Sequence, residues 1–164
     1  MSDQGIELLL VEDNPSDAEL TLHVFNKHRI TNKIKIAQDG EEALEFLLGA
    51  ESNSAHGGPP RLVLLDLKLP KVNGIEVLGR IKSDPRTKSI PVVVLTSSRE
   101  DQDLHLCYEL GVNSYIVKPV DFGQFTEAIR QLGLYWLLLN ETPRHRHASR
   151  AESDSSLDAP GPAH

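Results

Sequence analysis

The chain has 164 residues, 39% of them hydrophobic, a formal net charge of −7 and a single cysteine. One domain with a proper core is expected at this length and composition. The acidic balance argues against a nucleic-acid-binding role, which needs clustered Lys and Arg.

Nothing in the sequence directs the chain to a membrane or to an oxidising compartment. The first residues, MSDQGIELLLVED, hold no basic region and only a short apolar run, unlike a signal peptide. No apolar stretch approaches the length of a membrane span. A lone cysteine, Cys107, excludes an internal disulfide and fits a reducing compartment. We therefore expect the protein in the cytoplasm, with no membrane partner.

Short apolar runs with the character of β-strands alternate with longer segments of helical spacing. The third and fourth runs are nearly all Val and Leu without alternation, as in strands covered on both faces. The alternation predicts an α/β fold, a parallel five-stranded sheet with right-handed crossovers and five helices. The five runs are Ile6–Val11, Ile34–Ala37, Leu62–Leu65, Val92–Leu95 and Ser114–Val117.

Local signals mark the helix ends. Asp39, Ser98 and Asp121 each stand three residues before an acidic or amide residue, which is the pattern of an N-terminal cap. Pro15 suits the first turn of a helix, and Gly111 suits the residue after one.

Two stretches interrupt the alternation. Residues 49–60, GAESNSAHGGPP, are long for a helix-to-strand connection and predict a mobile surface loop. From Pro143 the chain lacks apolar periodicity and is rich in Ser, Ala and Pro, which predicts disorder. We therefore predict one domain over residues 1–140 and a disordered tail over residues 141–164.

Polar side chains follow four of the predicted strands. Glu12 and Asp13 follow the first, Asp66 the third, Thr96 the fourth and Lys118 the fifth. Ligands of a parallel α/β sheet collect at the carboxyl ends of its strands, so these side chains should share one edge. Each alone has a commonplace explanation, as a helix-start acid, a strand-end residue or a solvated charge. Together they predict a site.

The predicted site suits phosphoryl transfer. Three close carboxylates repel one another unless a positive charge lies among them. Oxygen ligands favour Mg²⁺, with Mn²⁺ as the alternative, and such a metal would hold Asp66 ionised as a nucleophile. Lys118 and Thr96 could then bind the phosphoryl oxygens. The hypothesis is the formation of an aspartyl phosphate on Asp66.

Four segments, LLLVEDNPSD, LVLLDLKLPKVNG, VVVLTSS and YIVKPVD, resemble in order and spacing the receiver domain of two-component response regulators. The resemblance runs from about Glu7 to Asn140. It implies a flavodoxin-like, doubly wound sheet with strand order 2-1-3-4-5. It also implies that Asp66 is the phosphoacceptor and Lys118 the phosphate-pairing lysine.

The same resemblance implies a metal site. Asp13 and Asp66 would be side-chain ligands of Mg²⁺, the backbone carbonyl of Lys68 a third ligand, and Glu12 a ligand acting through water. Glu12 stands where many members of the family have Asp, which leaves direct contact open.

The resemblance further implies a switch. Thr96 would be the hydroxyl that moves toward the phosphoryl group, and Tyr115 the switch aromatic. The Lys118–Pro119 bond would be cis, an isomer that only proline favours.

The partner is predicted from the same family. The loop at residues 49–60 and the run SDPRTKSIPVVVLTSS are similar to small single-domain regulators of phytochrome-type, light-sensing histidine kinases. A sensor histidine kinase of that type is therefore the expected partner. Asp17, Leu20 and Val24 on the predicted first helix are candidates for contact with it.

The last helix is apolar nearly all round. One set of residues follows helical spacing and should face the sheet, while Leu134, Tyr135, Leu137 and Leu138 fall on other faces. Such a surface predicts a partner, and we predict a homodimer interface there. The alternative is an overlong core helix covered by the tail. The sheet-facing set is Phe122, Phe125, Ile129, Leu132, Trp136 and Leu139.

Two other functions fit the same fold. A Mg²⁺-dependent phosphatase with an aspartyl nucleophile would need an acid two residues later, where this chain has Lys68. A flavin-binding flavodoxin-like protein would need a loop rich in Ser, Thr and Gly after the first strand, where EDNPSD is acidic. We therefore predict a signalling module that passes its message by protein contact, and not an enzyme acting on outside substrates.

Overall fold

The structure, a computed structural model, describes residues 5–49 and 58–141. Five parallel strands form one sheet in the order β2-β1-β3-β4-β5. The predicted fold class and strand order are confirmed, and the predicted strand ends agree within two residues. The strands are β1 Leu8–Val11, β2 Ile34–Ala37, β3 Leu62–Leu65, β4 Val92–Thr96 and β5 Ser114–Val117.

Five α-helices alternate with the strands, as predicted, and the last of them continues into a π-helical segment over Leu134–Leu139. None of the helices within the described ranges is long and apolar enough to cross a membrane. The helices are α1 Pro15–Lys27, α2 Gly40–Leu48, α3 Gly74–Ser83, α4 Asp101–Leu110 and α5 Phe122–Gly133.

Two predicted segments fall mainly outside the described residues. Of the predicted loop 49–60, only Gly49 and residues 58–60 are described. Of the predicted tail 141–164, only Glu141 is described. The boundary between domain and tail therefore stays a prediction.

The sheet is covered on both faces, which explains its continuous apolar strands. Along β1, Leu9 and Val11 pack into one core with α2, α3 and α4, while Leu8 and Leu10 pack into a second core with α1 and α5. All residues of β1, β3 and β4 are buried. A strand buried on both faces needs no polar alternation. The layering leaves the strand ends as the place for polar chemistry.

Most of the predicted helix ends are confirmed. The side chain of Asp39 accepts the N–H of Glu42, and that of Asp121 accepts the N–H of Gln124. Gly111 ends α4 in the left-handed conformation with φ of 102°, which glycine adopts without strain.

The predicted cap at Ser98 is wrong. The helix α4 begins at Asp101, after Glu100, whose side chain makes no capping hydrogen bond. The Ser98 hydroxyl instead donates to Asp103 Oδ2 at 2.5 Å. Ser98 therefore contacts the first turn of α4 through the side chain of Asp103 and does not cap its backbone N–H groups.

The π-helical segment changes which residues of the last helix face the sheet. Leu132 and Leu137 are both buried, five residues apart, where an α-helix would bury residues three or four apart. The N–H of Asn140 donates to the carbonyl of Tyr135 at 2.7 Å, the i to i−5 hydrogen bond of a π turn. The extra residue per turn moves Leu137 into the core.

Three predicted positions in this helix are wrong, two of them in the π-helical segment. Leu137, predicted at a dimer interface, is only 1% exposed and belongs to the core. Leu139, predicted to face the sheet, is 71% exposed, whereas Trp136, predicted to face it as well, is partly buried and does pack against the core. Phe122 is also exposed, because it is the first residue of α5 and precedes the first buried turn.

Candidate phosphorylation site

The order of the strands in the sheet brings the predicted site residues together. Because β1 pairs with β3, β3 with β4 and β4 with β5, the residues after these strands lie along one edge. The N–H of Asp66 donates to the carbonyl of Val11 at 3.0 Å, and the N–H of Lys118 donates to the carbonyl of Thr96 at 2.8 Å. Backbone hydrogen bonds therefore continue past the strands and fix the positions of both functional residues.

Three carboxylates form a cluster at this edge. One oxygen each of Glu12, Asp13 and Asp66 lies within 4.8 Å of the others. Glu12 and Asp66 are buried, 5% and 7% exposed, while Asp13 is exposed. Oxygen donors at this spacing suit a hard divalent cation such as Mg²⁺ or Mn²⁺. The donor set therefore fits the predicted metal.

Lys118 forms salt bridges to three carboxylates of the site. Its ammonium nitrogen lies 3.0 Å from Glu12 Oε1, 2.7 Å from Asp17 Oδ2 and 3.1 Å from Asp66 Oδ2. These three contacts tie the end of β5 to β1, α1 and β3. An ammonium has three N–H donors, and three carboxylates accept them here.

The electrostatics of the cluster follow from burial and close charges. Burial raises the pKa of Glu12 to about 7; Lys118 opposes this rise and Asp66 adds to it. Burial would lower the pKa of Lys118, but the carboxylates of Asp17, Glu12 and Asp66 outweigh it and hold that pKa above its ordinary value. The protonated form of Lys118 is therefore favoured, and it lies among carboxylates that repel one another.

A glycine shapes the loop after Asp66. The N–H of Gly74, the first residue of α3, donates to the carbonyl of Leu67 at 2.8 Å. A Cβ atom on Gly74 would lie 2.3 Å from the carbonyl oxygen of Asp66, which is closer than real Cβ contacts. The N–H of Lys68 donates to Asp66 Oδ1 at 3.3 Å, closing a tight turn around the carboxylate. The role of the Lys68 carbonyl as a metal ligand stays a prediction.

An open cleft of about 580 Å³ gives access to Asp66 and Lys118. Asp17 lies on its wall, although sequence reasoning placed this residue only at a kinase contact surface. The sequence did contain a signal for this position of Asp17, namely the helix cap Asn14. Its side chain accepts the N–H groups of Ser16 and Asp17, so α1 starts directly after Glu12 and Asp13 and keeps Asp17 close to them. The cleft is lined by Asp13, Asn14, Pro15, Asp17, Asp66, Lys68, Ser97 and Lys118.

The two predicted switch residues meet at Ser98. Thr96 is fully buried, and its hydroxyl accepts the N–H of Ser98 at 3.3 Å. The Tyr115 hydroxyl donates to the Ser98 carbonyl at 3.2 Å, and burial raises the pKa of Tyr115. Ser98 also holds Asp103 on α4. The loop after β4 thus links Thr96, Tyr115 and α4.

The predicted cis bond between Lys118 and Pro119 is wrong, because no peptide bond in the described ranges is cis. The trans isomer found here is also the favoured one for an X–Pro bond. Lys118 reaches the carboxylates from this trans arrangement.

The fold and the site define a receiver domain. Residues 8–130, about three quarters of the chain, match the sequence model of the response regulator receiver domain, and the chain belongs to that family. Among curated relatives, response regulator Rcp1 of Synechocystis sp. is 40% identical over 132 residues, which cover 79% of this chain and 88% of Rcp1. The probable methanogenesis regulatory protein FilR2 of Methanothrix harundinacea is 43% identical, covering 83% of this chain and 86% of FilR2.

Solved structures place the chain near phytochrome response regulators. The phosphorylated cyanobacterial phytochrome response regulator RcpA superposes with a TM-score of 0.78 at 37% identity, covering 85% of this chain and 99% of RcpA. The Mn²⁺-bound form of Rcp1 gives 0.76 at 37% identity, covering 84% and 99%. The bacteriophytochrome response regulator AtBRR is 54% identical with a TM-score of 0.64, also covering 84% and 99%.

Proposed function

We propose that this chain is a response regulator in which Asp66 accepts a phosphoryl group from the phosphohistidine of a sensor kinase, in a Mg²⁺-dependent reaction. The observation that carries the proposal is the position of Lys118 Nζ, 3.1 Å from Asp66 Oδ2 at the floor of an open acidic cleft. The solved structures of a phosphorylated and a Mn²⁺-bound relative support it.

The chemistry is a displacement at phosphorus. One oxygen of Asp66 forms a bond to phosphorus while the bond from phosphorus to the histidine nitrogen breaks, and that nitrogen keeps the electron pair. Lys118 passes its hydrogen bond from Asp66 to a phosphoryl oxygen. Glu12, Asp13 and Asp66, with the carbonyl of Lys68, would hold Mg²⁺, which would supply positive charge at the transferring group.

The switch follows from the contacts around Ser98. The Thr96 hydroxyl accepts the N–H of Ser98 and keeps its own hydrogen to donate to a phosphoryl oxygen, so a movement of Thr96 toward that oxygen pulls on Ser98. Tyr115 holds the carbonyl of the same residue, so the movement is expected to reach β5 and α4. The output is then a changed protein surface, and turnover of outside substrates is not part of the function.

The proposed donor is a phytochrome-type histidine kinase in the cytoplasm. The likeness to RcpA and AtBRR supports this partner. The test is phosphoryl transfer from a purified, autophosphorylated phytochrome-type kinase, compared with an unrelated histidine kinase at equal concentration. Faster transfer from the unrelated kinase would contradict the pairing.

A homodimer through the π-helical segment is the proposed assembly. With Leu137 in the core, the proposed interface consists of Tyr135, Leu138 and Leu139, which are exposed, flanked by the half-buried Leu134. Sedimentation of the parent and Leu138→Glu tests it, with Val120→Glu as the control because Val120 is also an exposed apolar residue. A parent that stays monomeric would end this part of the proposal.

The phosphorylation itself is tested by intact-protein mass after incubation with a small acyl phosphate and Mg²⁺. One added phosphoryl group is expected on the parent and on Asp101→Asn, which alters an exposed carboxylate of α4. No adduct is expected on Asp66→Asn or without Mg²⁺. An unmodified parent, or an equally modified Asp66→Asn, would overturn the proposed function.

A further inference from the structure

Asp17 makes the shortest of the three contacts to Lys118. Its Oδ2 lies 2.7 Å from Lys118 Nζ, against 3.0 Å for Glu12 and 3.1 Å for Asp66. The residue belongs to α1, while the other carboxylates follow strands. The site therefore contains a fourth carboxylate besides the three that form the metal cluster.

The hydrogen-bond donors of Lys118 are fully used. Its three N–H groups serve Glu12, Asp17 and Asp66. A phosphoryl group arriving at Asp66 brings several acceptor oxygens and negative charge, and only the donor now given to Asp66 passes to it directly. Any second donor must come from Glu12 or Asp17. Glu12 is buried, whereas the carboxylate of Asp17 is 26% exposed on the cleft wall.

We infer that Asp17 is a positioning residue that competes with the phosphoryl group for Lys118 and thereby weakens the binding of phosphoryl donors to this site. The inference rests on the proposed function and deepens it. Asp17 acts in two ways, and both weaken the binding of phosphoryl donors. It withholds one charged donor from the phosphoryl oxygens, and its own charge repels an anion entering the cleft.

A competing interpretation predicts the opposite change in phosphoryl binding when Asp17 is replaced. If Asp17 supported Lys118 in its productive position, its removal would let the ammonium move and would weaken phosphoryl binding. Removal of a purely structural contact would change stability alone. The direction of the change in donor binding therefore decides among the three.

The experiment measures initial phosphorylation rates against acetyl phosphate concentration for the parent, Asp17→Asn and Asp17→Ala. Glu19→Gln is the control, because it removes an exposed carboxylate two residues along α1 without touching Lys118. We expect the half-saturating concentration to fall about three- to tenfold in both Asp17 variants, as for one typical hydrogen bond gained. The saturated rate should change less, and Asp17→Glu should restore the parent value.

A second measurement needs no phosphoryl transfer. Inorganic phosphate with Mg²⁺ should raise the thermal midpoint at a lower phosphate concentration in Asp17→Asn than in the parent or Glu19→Gln. Unchanged or weakened binding of both phosphate and donor would overturn the inference. A parent that is never phosphorylated, with tighter phosphate binding in Asp17→Asn, would overturn the proposed function and support only the competition of Asp17 with phosphate for Lys118.

Discussion

Tyr115 donates its hydroxyl hydrogen to the backbone carbonyl of Ser98 across 3.2 Å. The N–H of Ser98 donates in turn to the hydroxyl of Thr96, and its side chain donates to Asp103. A single residue of the loop after β4 thus joins the predicted switch threonine to β5 and to α4. Movement of Thr96 toward Asp66 would have to disturb this set of hydrogen bonds.

Tyr115→Phe should separate phosphorylation from its structural response. The variant keeps the ring and loses one hydrogen bond, at a cost of about 1 kcal/mol in the free energy of unfolding. We expect normal phosphorylation of Asp66 but a smaller phosphorylation-dependent change in amide hydrogen exchange over residues 98–104. Tyr108→Phe is the control, since Tyr108 is exposed. An exchange response equal to the parent's would remove Tyr115 from the switch.

Gly74→Ala should damage the acceptor loop. The added methyl would meet backbone atoms of Asp66 and Leu67, so one of two fixed backbones must move. We expect a loss of about 1–3 kcal/mol in stability and slower phosphorylation of Asp66. In Gly79→Ala, also on α3, the added atom meets only side-chain atoms of Leu110 at 3.8 Å or more.

Gly79→Ala should be neutral or stabilising by up to about 1 kcal/mol, because glycine is unfavourable inside a helix. Chemical denaturation measures both glycine variants, and acyl phosphate labelling measures the site. Equal effects of the two substitutions would show that Gly74 is not needed for the loop.

Leu137→Ala should lose much more stability than Leu138→Ala, although the two residues are neighbours in the chain. Leu137 is fully buried beside Leu132, so its truncation should cost about 2–5 kcal/mol. Leu138 is more than half exposed, and its truncation should cost less than about 0.5 kcal/mol in a monomer. Denaturant midpoints at low protein concentration compare them. The reverse order would contradict the π-helical register of Leu134–Leu139.

Glu127 should titrate well below an ordinary glutamate. Hydrogen bonds from Arg130, at 3.0 and 2.6 Å, and from Gln131 lower the pKa of Glu127 from 4.5 to about 2. Because the folded pKa is the lower one, the pair stabilises the fold above about pH 4.5. That contribution is lost as pH falls from 4.5 toward 2.

An NMR titration of the Glu127 carboxyl carbon measures this directly. Arg130→Gln should return the pKa of Glu127 toward 4.5, and added salt should reduce the shift because the pair is exposed. Asp84, paired with Arg86, serves as the internal control for the substitution, and its pKa should not change in Arg130→Gln. A Glu127 pKa near 4.5 in the parent would disprove the pairing in solution.

The sheet and the acidic edge could be predicted from sequence because both depend on local, repeated signals. Continuous Val and Leu runs mark strands covered on both faces, and a parallel topology fixes which strand ends are adjacent. Asp66, Asp13, Thr96 and Lys118 follow directly from those two facts. Their chemical roles still rest on the proposed function.

The errors share a physical cause, which is that tertiary contacts override local pattern. Ser98 has the sequence of a cap, but Asp103 takes its hydroxyl. Asp17 looked like a surface residue of α1, yet it pairs with Lys118, which lies 101 residues further along the chain. Leu137 was assigned by a period of 3.6 residues, and no such period applies through a π turn.

The π-helical segment is equivalent to an α-helix with one residue inserted. Between Leu132 and Leu137 the chain uses one residue more than an α-helix needs to return to the same face. Deleting one residue from this stretch would therefore restore an ordinary helix and keep a leucine over the core. A relative that is one residue shorter here can preserve the whole interior, so an alignment gap between 133 and 137 is structurally conservative. Only the side chains between Gly133 and Leu137 would change direction, and the exposed Leu138 and Leu139 would keep theirs.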